Sequence, residues 1–177
     1  MDWITIEGTQ LEMIQNKSSI IPEYNLKITY EDNLVGKLGE SAVEIILGNL
    51  VDATNFDNQD NGDGGIDLGW KKYSERGVQV KRGVQVKTIY CEDSRLLNRK
   101  SCFKNGEIMN NDLLIVMWIK AEENALRKNL KNAKQVKIRL LGWLETKNIL
   151  VPQNKLIPIA LKQGAFTQLI QVAKNYS

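Results

Sequence analysis

Residues 78–88 read Val-Gln-Val-Lys-Arg-Gly-Val-Gln-Val-Lys-Thr, and this alternation of valine with polar side chains restricts the fold more than any other stretch. Side chains on a strand point to opposite faces in turn, so a Gln and a Lys two positions apart share a face. The hexapeptide Arg-Gly-Val-Gln-Val-Lys occurs at 76–81 and again at 82–87. It is too short for a solenoid and reads as a local duplication within one strand. Upstream lies Gly64-Gly65-Ile66-Asp67. A hairpin of 66–72 on 78–89 would bring the Asp67 carboxylate, a Gln carboxamide and a Lys ammonium onto one sheet face. That set suits a hard divalent cation beside a phosphate.

The turn decides which copy of the hexapeptide joins Asp67. If Glu75-Arg76-Gly77 is a three-residue loop with the Gly left-handed, Ser74 opposes Val78 and Asp67 falls opposite Gln85. That register selects Gln85 and Lys87. A turn displaced towards Lys71-Lys72 selects Gln79 and Lys81 instead, which are the second choice.

Around this hairpin the pattern is that of a mixed α/β chain. Leu34, Leu38, Ala42, Ile45 and Ile46 recur at helical spacing, with Asn33 as the expected cap and Gly48-Asn49 as the stop. Glu40 and Glu44 share one face of that helix. The Asp-, Asn- and Gly-rich stretch 52–65 reads as a loop, and its acids do not follow the spacing of a calcium loop. Residues 113–119 are continuously apolar, as in a strand buried on both faces. Residues 121–135 are helix-prone, 136–144 read as a strand, and 166–176 as a terminal helix. In the first thirty residues, 3–6 and 26–30 read as strands or extended arms with a short helix between them. The expected architecture is one domain over 1–177, with an N-terminal extension at 1–32, a core at 33–145 and a C-terminal segment at 146–177. Its sheet is mixed and flanked by helices.

Composition narrows the chemistry. A chain of 177 residues, 42% apolar and 25% charged, has the makings of a single globular core. It contains no histidine, which removes Ser-His-Asp hydrolysis and histidine-ligated metal sites. Cys91 and Cys102 are too few for a four-ligand zinc site and read as thiols in a reducing compartment. No apolar stretch is long enough to span a bilayer and no leader pattern follows Met1; a cytoplasmic protein without a membrane partner is expected. The net charge of +3 hides an uneven distribution. Residues 1–67 hold 3 basic and 13 acidic side chains, whereas 71–104 hold 10 basic and 3 acidic. Positive charge around the hairpin favours a polyanionic ligand.

Phosphodiester hydrolysis needs a cation to neutralise the phosphate and activate water, and positive charge to support the transition state. Asp67 would be the main metal ligand. The Gln carboxamide oxygen and the carbonyl of the following Val would add neutral oxygens, the Lys would serve the phosphate or the water, and Glu40 would act from the helix through a water.

Gly39-Glu40 on a helix, Gly-Gly-Ile-Asp at 64–67 and Val-Gln-Val-Lys at 84–87 together resemble the PD-(D/E)XK nuclease superfamily. The Gln form is similar to the branch with Mrr-like restriction nucleases and some intron-encoded homing endonucleases. The match spans about residues 33–120. The resemblance implies a restriction-endonuclease-like αβββαβ core, a magnesium ion replaceable by manganese, and DNA cleavage. Carried onto this chain, the site residues are Glu40, Asp67, Gln85 and Lys87, with the Val86 carbonyl as a further metal ligand. Ile66 stands where the family motif has Pro, and Gln85 where it has a second acid. DNA contacts are expected from Lys71, Lys72, Arg82, Arg95, Arg99 and Lys100, and a homo-oligomer is expected because one such site cuts one strand. Two other readings fit the same residues: a nuclease-like DNA-binding or accessory module without strong catalysis, and a small interaction protein whose acidic first third pairs with its own basic remainder.

Overall fold

The computed structural model describes residues 3–24, 29–52, 66–71, 83–90, 103–104, 108–109, 111–119, 127–148 and 166–176. The chain opens with strand β1 (Trp3–Glu7) and helix α1 (Gly8–Tyr24), followed by helix α2 (Tyr30–Leu47). Strands β2 (Leu50–Asp52), β3 (Leu68–Trp70) and β4 (Gly83–Ile89) come next. A two-stranded ribbon of β5 (Phe103–Lys104) and β6 (Ile108–Met109) precedes β7 (Leu113–Trp118) and β8 (Gln135–Glu145), and helix α3 (Phe166–Ala173) closes the order. Among the described residues the main sheet has six strands in the order β1-β8-β7-β4-β3-β2. β4 and β7 run parallel and every other pair is antiparallel, so the sheet is mixed, as expected.

Helix α2 begins a turn earlier than its apolar periodicity predicts. Thr29 is the cap, its hydroxyl accepting from the Asp32 N–H at 3.1 Å, and Glu31 and Asp32 add negative charge where the helix dipole favours it. The first turn is polar, and the periodic signal starts only at Leu34. Asn33, expected as the cap, lies inside the helix and spends its amide on the Ser18 carbonyl of α1 at 2.7 Å. Tyr30, expected at the end of an extended arm, starts the helix; residues 25–28 lie outside the described residues. Gly48, in the left-handed conformation, caps the other end by donating its N–H to Glu44.

Leu34, Leu38, Ala42 and Val43 of α2 are buried in one cluster with Val84 and Val86 of β4, Leu113, Ile115 and Met117 of β7, and Val136 and Ile138 of β8. Each of these side chains larger than alanine contributes on the order of 1.5–3 kcal/mol of apolar burial. α2 lies close on β4 because Gly39 has no side chain: a Cβ there would sit 1.8 Å from Thr88 Oγ1. β7 is buried at all six positions, as its apolar run predicts, because β4 and β8 flank it and both faces are covered.

The segment expected as an N-terminal extension joins the same body. β1 pairs with β8 from Trp3↔Arg139 to Glu7↔Gln135, and Gln15 of α1 donates to the Leu130 and Ala133 carbonyls. Within the stretch expected to be helical at 121–135, residues Arg127–Asn132 form a 3-10 helix; 121–126 lie outside the described residues. α3 forms where predicted, with Leu169 and Ala173 buried and Tyr176 just beyond its end stacked on Trp70. Among the described residues no helix is long and apolar enough to cross a membrane.

Candidate metal and phosphate site at the end of β3

Of the strands expected at 66–73 and 78–90, β3 and β4 are observed, paired Leu68↔Val84 and Gly69↔Gly83, with 72–82 outside the described residues. Continued by one residue, this register sets Asp67 beside Gln85. The ladder does not continue regularly, however. Asp67 bends out of the strand, its N–H donating to the Val84 carbonyl at 3.0 Å while its Oδ2 accepts from the Val86 N–H at 2.6 Å. The carboxylate takes the place of the strand carbonyl that β4 would otherwise meet. Within a strand the N–H and C=O of one residue point to the same side, so the Val86 carbonyl is aimed past the end of β3, to the edge where the Asp67 carboxylate lies.

Gly83 makes this close approach possible. A Cβ there would lie 2.1 Å from the Leu68 carbonyl and 2.9 Å from Ile66 Cγ2. The glycine of the hexapeptide at 82–87 is therefore a packing requirement as well as part of a duplication.

Alternation along β4 sends Val84, Val86 and Thr88 towards α2, and Gln85 and Lys87 to the opposite face. Gln85 is only 2% exposed, and its Oε1 accepts from Asn111 Nδ2 at 3.3 Å. Asn111 is itself buried, and its carbonyl accepts the Thr146 hydroxyl at the end of β8. Asp112 follows, its N–H donating to the Gly83 carbonyl at 2.8 Å and its Oδ2 accepting from Trp70 Nε1 at 2.8 Å. Lys87 is half-buried on the same face as Gln85.

Asn111 and Asp112 escaped the sequence reading. They stand 26 and more residues from Gln85 in the chain, and only the parallel pairing Val84↔Leu113 brings them beside it. The one local sign was a polar pair immediately before an apolar strand.

Glu40 has a different setting from the other expected site residues. Its carboxylate is bonded to Lys37 at 2.6 Å, one helical turn back, with both side chains largely buried. It lines a groove between α1 and α2 with Gln10, Met13, Lys17 and Glu44. Lys71 is exposed and donates from Nζ to the Gly48 carbonyl at 2.9 Å, so it ties the end of β3 to the end of α2. Lys72, Gln79, Lys81, Arg82, Arg95, Arg99 and Lys100 lie outside the described residues, as do Cys91, Cys102, the loop at 53–65 and the turn at 74–77.

Among the described residues no three His, Cys, Asp or Glu side chains gather into a group. The oxygens expected as ligands, the Asp67 carboxylate, the Gln85 carboxamide and the Val86 carbonyl, are hard donors of the kind that magnesium accepts alongside water, and here the Asp67 carboxylate bonds the Val86 N–H while the Gln85 oxygen is held by Asn111. Compared with known protein families, curated proteins and solved structures, the chain matches none.

Proposed function

We propose that this chain is a magnesium-dependent DNA endonuclease with a restriction-endonuclease-like core. The observation that supports the reading is the Asp67–Val86 hydrogen bond of 2.6 Å, which holds a carboxylate against the backbone of β4 between Gln85 and Lys87. The element order supports it. A helix, α2, precedes the antiparallel run β2-β3-β4, and β7 then lies parallel to β4, as in the αβββαβ order, while between β4 and β7 the described residues form the β5–β6 ribbon where that order has its second helix.

In this reading Asp67, Gln85 Oε1 and the Val86 carbonyl would hold the cation, and Glu40 would act through water after exchanging away from Lys37. The ion would supply charge neutralisation at the phosphate and a more acidic water. Lys87 would place its ammonium against the phosphate oxygens as charge develops there. Asn111 would keep the Gln85 oxygen turned to a fixed direction. Two copies of the chain would cut both strands, and a cytoplasmic setting suits free thiols.

A second reading, a nuclease-like DNA-binding module, is favoured by one specific feature. Asp67 Oδ2 and Gln85 Oε1 each already accept a hydrogen bond from the protein. Supercoiled plasmid incubated with the full chain separates the two. Nicking that requires magnesium or manganese and stops in excess chelator supports the endonuclease; retarded but intact plasmid under both conditions selects the binding module.

A further inference from the structure

The sheet face that carries Gln85 and Lys87 ends, at its β1 edge, in a row of three side chains: Trp3 on β1, Arg139 on β8 and Trp118 on β7. They are direct cross-strand partners, Trp3↔Arg139 and Trp118↔Arg139, so the sheet itself sets the guanidinium between two indoles. Arg139 Cζ lies 3.9 Å from the centroid of the Trp118 ring and 5.8 Å from that of Trp3. Trp118 is buried at the inner end. Trp3 is 38% exposed, while Trp70, Trp118 and Trp143 are all buried. β1 is the outermost strand of the described sheet, so the column of ring, cation and ring opens to solvent at Trp3.

We propose that this row is a stacking site for an unpaired base of single-stranded DNA, a proposal that rests on reading the chain as acting on DNA. A flat cation held on one side of an indole by cation–π attraction leaves the other side for a further π surface. Every nucleobase has such a surface, and base–aromatic stacking beside basic side chains is how single strands are held without sequence preference. Bases inside a duplex are already stacked and offer no free face, so the occupant is unpaired. The charge agrees. Lys131, Lys134, Lys137 and Arg139 lie on β8 and its approach, against the single carboxylate of β1, Glu7. The alternative occupant, a second copy joined along the β1 edge, would bring two such basic surfaces together, which opposes it.

The test uses the full chain in excess chelator, so that no cutting interferes, with labelled oligodeoxythymidylate of about 16 residues followed by anisotropy and by tryptophan emission. The oligonucleotide is expected to quench the emission of the exposed Trp3. Trp3→Ala is expected to weaken binding by roughly ten-fold or more and to abolish the quench, with Trp3→Phe keeping most of the affinity and an unchanged melting temperature. Equal affinity for wild type and Trp3→Ala, or a quench that survives in Trp3→Ala, would overturn the proposal. Binding of duplex but not of the oligonucleotide overturns it while leaving the DNA reading intact; binding of neither overturns both. A concentration-dependent dimer that Trp3→Ala dissolves, without any oligonucleotide effect, assigns the edge to a second copy instead.

Discussion

The Val86 N–H donates to Asp67 Oδ2 at 2.6 Å, so one carboxylate both ends the β3–β4 ladder and stands at the candidate site. Structure and proposed chemistry therefore make separable demands on the same side chain. An amide at this position keeps an acceptor for Val86 but loses the charge that would hold a cation. Asp67→Asn is expected to melt within about 1 kcal/mol of wild type yet to lose magnesium-dependent nicking. Asp67→Ala is expected to lose nicking and also about 1–3 kcal/mol of stability, because a backbone donor is left unsatisfied. Urea denaturation beside plasmid nicking reads both, and an Asp67→Asn variant that cuts at the wild-type rate rules out Asp67 as the ligand.

The duplicated hexapeptide allows a contrast between equivalent residues. The pairing Leu68↔Val84 puts the second copy next to Asp67. Lys87→Ala should lower the cleavage rate by two orders of magnitude or more, the scale of losing one group that stabilises transition-state charge, without altering the circular dichroism spectrum. Lys81→Ala should chiefly weaken DNA affinity. The opposite pattern would assign the chemistry to Gln79 and Lys81.

Gly39 is expected to behave as a packing residue. Gly39→Ala places a methyl against Thr88, whose Oγ1 lies 1.8 Å from the ideal Cβ position, and overpacking of this kind costs about 1–3 kcal/mol. Thr88→Ala should recover much of that loss in the double variant, a coupling that a thermodynamic cycle measures. Additive losses would show that α2 can shift on β4 and absorb the methyl.

Duplex binding should weaken steeply with salt, because basic side chains displace counterions condensed on phosphates. Replacing Arg95, Arg99 and Lys100 together by alanine should flatten the dependence of log affinity on log salt by about 2–3 units of slope. Equal affinity at low and physiological salt would argue against a nucleic-acid partner.

By itself the sequence determined what periodicity encodes. The alternation around Val84 and Val86, the apolar run of β7, the period of α2 from Leu34 to Ile46 and the helix at the C-terminus were all legible, because a period of 2 or 3.6 is imposed by local backbone geometry. The register that pairs Leu68 with Val84 is also the one obtained by counting through a hairpin. Tertiary structure decided the rest. The Thr29 cap, though a local bond to Asp32, lay upstream of the helical apolar period, and Asn33 was drawn to Ser18 on another helix. The Lys37–Glu40 pair is local to α2, but it was enclosed in a groove that exists only once α1 packs on α2. Asn111 met Gln85, and Arg139 came to lie between Trp3 and Trp118, through pairings between strands far apart in the chain. Such contacts depend on which strands become neighbours, and that is settled by closing long loops around a shared core, a free-energy balance over the whole molecule that no local pattern records.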